Sequence, residues 1–588
     1  MARISEHAAI GNGRSVALVT RDGTVDWLCW PRFDSPALFA ELLDPDGGSW
    51  SLRVRDARRV ERAYIGGTNV LESRWEAAGG TALVTDCMPL SDPHALSPEH
   101  ELLRVVRCEH GEIALDVEYA PRPDFGTGRA RISNRGPFGI HCEHGSQLLA
   151  LRGEASFTLD DRGVSRAERV LRAGESAAFS LVFEASAPAA FPALGAAADQ
   201  RIADTIRWWR GWIGTAELAC PRPDLVERSL LVLKLLGYAP SGAVVAAATT
   251  SLPERIGGAM NWDYRYYWLR DAALTTRTMR NFGFTDEARA FTSWLLHSTR
   301  LRHPQLSVLY DVFGNEPGGE AELPLVGYAA SRPVRVHNAA SHQLQLDTYG
   351  ELIDAISQFV QPPVDHETNR LLRRLATFVC RNWRLPDRGI WERRQPPAHY
   401  TYSKVMCWVA LDRLLGLALP NMPNDDMRRE RDAIRADVLA RGVHDGAYTG
   451  AYDTDEADTS LLLLPWYGFD DASGSRMQRT YARIRDRLQA GDGLYYRAEY
   501  EKARGDGAFG ISSFWVAEFL ALGGGSLAEA QRVFDAACAY ANDVGLFAEE
   551  IAPHTGEALG NFPQAYTHVG LINAALSIAK RARERRAA

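Results

Sequence analysis

Three stretches of this sequence bring carboxyl groups and aromatic rings together in ways that could do chemistry on a sugar. The first, Asn261-Trp262-Asp263-Tyr264-Arg265-Tyr266-Tyr267-Trp268-Leu269-Arg270-Asp271, holds more rings than a helical stripe requires. A pyranose offers apolar C–H faces ringed by hydroxyls, so its site needs flat aromatic walls and charged or amide groups that bond paired hydroxyls. The same stretch also reads as a helix start buried against a neighbouring domain. The second, Gly389-Ile390-Trp391-Glu392-Arg393-Arg394, places a carboxyl directly after a tryptophan. Partial desolvation there would raise its pKa and keep it protonated for acid catalysis. Taken alone, the pair reads better as a surface glutamate matched with Arg393 or Arg394. The third, Gly545-Leu546-Phe547-Ala548-Glu549-Glu550-Ile551, precedes Gly560-Asn561-Phe562-Pro563-Gln564-Ala565-Tyr566-Thr567-His568. Adjacent glutamates usually form a solvated turn, but this apolar flank favours burial, and buried ionisable groups need partners or a function.

These segments need a scaffold. The chain has 588 residues, 46% hydrophobic and 24% charged, which is too long for one hydrophobic core. Up to about residue 195 it reads as β. Short alternating runs such as SVALVT, VDWLCW, WSLRV, LLRVVRCEH, IALDVEYAP and AAFSLVFEA are separated by D-G, G-G and N-R-G breakers. That spacing predicts an antiparallel sandwich over residues 1–196. Residues 197–222 switch to helical period and predict a connecting helix. From 223 to 588 roughly twelve apolar-periodic segments begin near 225, 268, 286, 341, 366, 402, 425, 457, 475, 509, 526 and 564. Twelve helices fit an (α/α)6 barrel, and also other helical solenoids.

The three segments, in order and with the opening AAIGNGRSVALVTRDGTVDWLCWPRFDSPALFAELL, resemble glycoside hydrolase family 15, the inverting glucoamylases and related bacterial trehalases and glucodextranases, over nearly the whole chain. The resemblance implies an N-terminal β-sandwich of the super-sandwich type, a linker helix and a catalytic (α/α)6 barrel. It implies Glu392 as general acid and Glu549 as the base that activates water. It also implies Trp268 as a wall, Arg270 and Asp271 as hydroxyl clamps, Tyr264 near the cleavage point, Trp391 beside the acid and Arg497 as a sugar-binding arginine. Glu550 would then be a support or a sugar contact, because neighbours in an extended loop face opposite ways. The implied activity is inverting release of β-glucose from non-reducing ends of α-linked glucosides. Inversion sets a protonated carboxyl on the leaving oxygen and a carboxylate with its water across the sugar, and needs no metal or organic cofactor.

The chain departs from the family pattern in three places. Ile4-Ser5-Glu6-His7 stands where I-E-D-Y is expected, and His337-Asn338-Ala339 stands where G-N-A is expected. Arg393 follows the expected acid where some relatives carry a second acidic residue. His337 either narrows an aglycone site or is a benign loop change. Substrate choice is therefore the open point. Trehalose or short maltodextrins or isomaltodextrins are expected over starch granules, with a slight lean to trehalose. A phosphorylase or epimerase on the same barrel would need a phosphate cradle or a histidine pair, and no glycine-rich phosphate loop is present. A silent carbohydrate-binding protein is the third reading, and it would be favoured by loss of a carboxylate; both are present.

Charge and composition exclude other classes. A net charge of −8 and a pI near 6.1 argue against nucleic-acid or anionic-membrane partners. The terminal RARERR follows an apolar helical stretch and reads as a solvated helix end. The eight cysteines form no C-x-x-C pair. Cys108-Glu109-His110 and His141-Cys142-Glu143-His144 lack the usual zinc spacing and read as strand ends. The N-terminus has charges and glycines where a secretory signal needs an apolar core, and no stretch approaches membrane-spanning length, so a cytoplasmic location is expected. Oligomeric state is left open.

Overall fold

The computed structural model describes residues 1–90, 97–186, 189–300, 304–360 and 362–587. Its N-terminal part is an antiparallel β domain in which one strand, His100–Ala120, belongs to two sheets. The first half of that strand pairs with Gly80–Cys87 and Ser176–Glu184, and the second half with Ser49–Val54 and Ser165–Arg172. The sequence suggests two strands here, LLRVVRCEH and IALDVEYAP, broken at the glycine between them. The structure runs them together, and Gly111 sits at the crossover with φ 70°, a conformation that costs glycine little. Strands such as Ala57–Tyr64, ARRVERAY, escape hydrophobic patterning because half their residues face water.

A helix, α1 (Ala196–Ile213), follows, and then the helical half. Its helices are α2 (Pro223–Leu235), α3 (Leu269–Asn281), α4 (Thr285–Arg300), α5 (Asp347–Ser357), α6 (His366–Asn382), α7 (Thr401–Leu417), α8 (Asn424–Arg441), α9 (Ser475–Leu488), α10 (Glu499–Arg504), α11 (Gly510–Phe519), α12 (Leu527–Cys538) and α13 (Ala565–Ala587). Among the described residues α3, α5, α7, the 3-10 turn Thr459–Leu463, α11 and α13 pack each on the next in a closed inner ring. Around them lie α2, α4, α6, α8, α9 and α12, which makes an (α/α)6 barrel. Composition sorts the two rings. Every residue of α11 is buried, as an inner helix requires. Helix α6 buries only the stripe Leu371, Leu372, Leu375, Ala376 and Val379 and turns its charges outward.

Two local expectations need correction, and one helix was not expected. The segment expected near 341 starts its helix at Asp347, because Ala339–His342 forms a separate 3-10 turn capped by the Asn338 side chain. The segment near 457 is a 3-10 turn rather than an α-helix, capped by Asp458. The short helix α10 had no apolar period to announce it.

The two halves share one apolar core. Polar contacts across the junction hold the segment that leads to Glu549. The Asn542 amide donates to the carbonyls of Ser5 and His7 at 3.1 and 2.8 Å. The buried Arg62 guanidinium grips both oxygens of Asp543 at 2.9 Å. Asp543 itself reaches solvent while Arg62 is buried, so the β domain anchors this loop from its own core. Among the described residues no helix is long and apolar enough to cross a membrane.

Candidate active site

Backbone alternation assigns the residues of the first segment. Trp262, Tyr264 and Trp268 line a cleft at one end of the barrel, while Asp263 and Arg265 turn the other way as a fully buried pair bonded at 2.8 and 2.7 Å. Arg265 also reaches the Ser35 carbonyl of the β domain at 2.7 Å. Part of this charged stretch is therefore the domain contact that the sequence allowed as the alternative. Tyr267–Trp268 pairs as a strand with Leu309–Tyr310, and α3 begins at the next residue. That junction fixes Trp268, Arg270 and Asp271 on a rigid helix start.

The cleft has two chambers. An inner one is lined by Tyr264, Trp268, Arg270, Asp271, Trp391, Glu392, Arg497, Glu549 and Tyr566, among others. An outer one, the roomier of the two, adjoins it through Tyr264, Trp391, Glu392 and Arg497. The sequence candidates Tyr264, Trp268, Arg270, Asp271, Trp391, Glu392, Arg497 and Glu549 thus meet at one place. Glu550 does not line either chamber.

Glu392 sits in a tight turn with φ 54°, a strained conformation for a residue with a Cβ. Its Oε1 accepts the Trp268 indole N–H at 2.6 Å, and the Arg270 guanidinium lies 3.5 Å from the same oxygen. Trp268 is therefore a hydrogen-bond donor to this carboxyl as well as a wall. Trp391, expected to pack beside the acid, has its indole N–H on Asp458 at 2.9 Å and its ring against Phe509 and Trp515. The two arginines that could have neutralised Glu392 are occupied elsewhere. Arg393 is paired bidentately with Glu456, and Arg394 with Glu320 at 2.9 Å.

Glu549 and Glu550 part company as neighbours in a strand must. Glu550 lies in the central strand of a small sheet, between Ala508–Phe509 and Ala558–Leu559. Its Oε2 accepts the Gly507 N–H at 2.9 Å, and Arg497 stands 3.6 Å from its Oε1. Glu549 faces the inner chamber. Its Oε2 accepts the Asn561 N–H at 3.1 Å, and its Oε1 is buried without a protein partner. Burial, and then the charge of Glu254, push the Glu549 carboxyl up to about 8, opposed by Arg497, the Asn561 N–H and the Tyr264 hydroxyl. Asp271 is pushed up to about 6 by burial, with Arg270 opposing.

Gly560 explains how the Glu549 carboxyl is seated. A Cβ at Gly560 would lie 2.5 Å from Glu549 Oε2, and the residue has φ +71°. Gly560→Ala is expected to displace that carboxyl; with Glu549 as the base that the family resemblance implies, kcat would fall about 100-fold, the usual effect of misplacing a reacting group by about 1 Å. Steady-state kinetics on the α-linked glucosides that the resemblance implies checks this, and an unchanged kcat would count against Glu549 as the base.

Some lining residues had no role assigned from the sequence. Glu254 and Arg504 of the outer chamber come from a loop and from α10, while Gln564 and Tyr566, at the entry to α13, belong to the third segment without having been picked out in it. Glu254 lies in TTSLPERIGGAMNWDY, a stretch that shares the family resemblance but implied no role for it, so its burial and its 2.8 Å bond to Arg497 are what reveal it. His337 has φ 63°, which accounts for a glycine being expected there. Its ring shares a 2.7 Å hydrogen bond with the Tyr266 hydroxyl and lines neither chamber. The Cys108 and His144 side chains reach backbone carbonyls, with Asp124 also on His144. Among the described residues no cluster of His, Cys, Asp and Glu is placed to hold a metal ion.

Comparison with known proteins places this geometry. Residues 221–522 and 525–576 match the family described as Glycosyl hydrolases family 15, and residues 1–183 match the domain described as Trehalase-like, N-terminal. A trehalase of Mycolicibacterium smegmatis is 34% identical, with 98% of this chain and 91% of that protein covered. Trehalase 1 of Sulfolobus acidocaldarius is 33% identical over 96% of each chain. The crystal structure of a bacterial glucoamylase complexed with acarbose superposes with a TM-score of 0.70 at 13% identity, covering 100% of this chain and 96% of that one. At that identity the likeness is one of fold.

Proposed function

We propose that this chain, which belongs to glycosyl hydrolases family 15 and is a glycoside hydrolase, cleaves a small α-linked glucoside with inversion and takes trehalose as substrate. The observation that carries the reading is the position of the two carboxyl groups. Glu392 lines both chambers, whereas Glu549 lines only the inner one. A glucose seated in the inner chamber has its scissile bond at the junction. Glu392 then reaches the leaving oxygen as general acid, and Glu549 holds the water on the far side as general base.

The chain's own groups divide the remaining work. Trp268 donates to Glu392 Oε1 and the Arg270 guanidinium stands 3.5 Å from the same oxygen, which leaves Oε2 as the oxygen to carry the transferable proton. Arg270 and Asp271 offer fixed donors and an acceptor to glucose hydroxyls, and Tyr264 and Trp268 offer ring faces. Asp271 and Glu549 place negative charge beside the oxocarbenium-like transition state. Support for trehalose comes from the named relatives.

The test is the anomer released. Proton NMR of fresh reactions with α,α-trehalose is expected to show β-glucose and α-glucose in equal amounts at first, because only the ring that is attacked inverts. Maltose, isomaltose and soluble starch run alongside should turn over more slowly. Initial formation of α-glucose alone from trehalose would overturn inversion, and no cleavage of trehalose would overturn the substrate assignment.

A further inference from the structure

The outer chamber is rich in donors and poor in acceptors. Arg393, Arg394, Arg497 and Arg504 all line it, and a guanidinium can only donate. Two carboxylates face them, Glu392 and Glu254. Glu392 is engaged at the leaving oxygen in the function proposed above, so Glu254 is the remaining carboxylate for any hydroxyl that must donate. Its geometry suits the task. Arg497 approaches Glu254 Oε2 at 2.8 Å and Arg504 approaches the same oxygen at 3.8 Å. No hydrogen bond or ion pair of a described residue engages Oε1, and that oxygen is not among the sealed, unpartnered atoms. The side chain is only 2% exposed, so this is a charge held in the wall of the chamber rather than a surface group.

We infer that Glu254 is the acceptor of an aglycone subsite, taking a hydroxyl of the second sugar ring on Oε1 while the surrounding guanidiniums donate to its oxygens. The subsite selects a hydroxylated ring as leaving group over an aryl, alkyl or halide one. This rests on the hydrolase reading, since it takes the inner chamber as the glucose site. The physical basis is that a buried carboxylate built to accept a substrate hydroxyl is left unpaired by a leaving group that lacks one. Arg497 couples the subsite to the chemistry, because the guanidinium that holds Glu254 at 2.8 Å also stands 3.6 Å from Glu550, the neighbour of Glu549.

The experiment compares α,α-trehalose with α-D-glucosyl fluoride, whose leaving group has no second ring, on wild type and Glu254→Gln. In the variant kcat/KM on trehalose is expected to fall about 100-fold, mostly through KM, the scale of one lost charged hydrogen bond. On the fluoride it should stay within about threefold when each enzyme is measured at a pH above its own Glu549 limb, because the charge of Glu254 also raises that carboxyl. The ratio of the two activities within one preparation does not depend on the fraction of folded protein, so a poorly folding variant still reports. Equal losses on both substrates, or no loss on trehalose, would overturn the assignment. Wild type that consumes neither substrate would instead overturn the hydrolase reading.

Discussion

Glu549→Gln is expected to lower kcat on an α-linked disaccharide by about 10³–10⁴-fold with its melting temperature preserved, while Glu550→Gln should cost about tenfold or less. The difference follows from where the strand turns each side chain. Glu549 has a free buried oxygen in the inner chamber, and its other oxygen is anchored on the Asn561 N–H. An amide keeps that anchor and the shape but cannot take a proton from water. Glu550 instead accepts from Gly507 and faces Arg497, so its replacement disturbs a support. The pH dependence should carry the same signature. A base must be ionised to act, and burial together with Glu254 holds Glu549 above the ordinary carboxylate range. The kcat/KM of wild type should therefore rise with pH through a limb higher than that of a free glutamate, and rate profiles would show it. A variant Glu550→Gln as inactive as Glu549→Gln would show that the base has been misassigned.

Glu392→Gln is expected to lower kcat/KM on trehalose by about 10²–10⁴-fold, the range of a lost general acid, and to spare α-D-glucosyl fluoride. Fluoride departs without a proton from the enzyme, whereas a sugar alkoxide does not. The contrast with Glu254→Gln lies in the kinetic constant affected: the acid acts on kcat, the aglycone contact mainly on KM. Both variants are measured on both substrates at a pH where wild type is active. If Glu392→Gln loses the fluoride reaction to the same degree, the residue acts on the glucose ring or the water and is not the proton donor. Glutamine at 392 still accepts the Trp268 N–H through its carbonyl, so a simple collapse of the turn is not the expected cause of the loss.

The sequence by itself was enough for the architecture and for naming most of the site. Apolar period separated a β half from a helical half, and the segment starts near 225, 268, 286, 366 and 402 lie within a few residues of real helices. These are local properties, because a helix on a barrel must bury a stripe or a whole surface wherever its neighbours lie. Motif order then brought Glu392, Glu549 and the Trp268–Asp271 run to notice. Tertiary structure alone decided which of several charged neighbours faces the cleft. Asp263 and Arg265 look no less like sugar ligands than Arg270 and Asp271, yet they pair with each other in the core. Likewise Trp391 bonds to Asp458, and the indole that donates to Glu392 is Trp268, from a segment more than 120 residues earlier. Glu254 lies in a stretch that resembles the family but had no role assigned to it, since the one proposed here depends on Arg497 and Arg504, which chain folding brings from about 250 residues away. Long-range pairing of buried charges is not encoded in spacing or period; it exists only once the barrel closes and removes those groups from water.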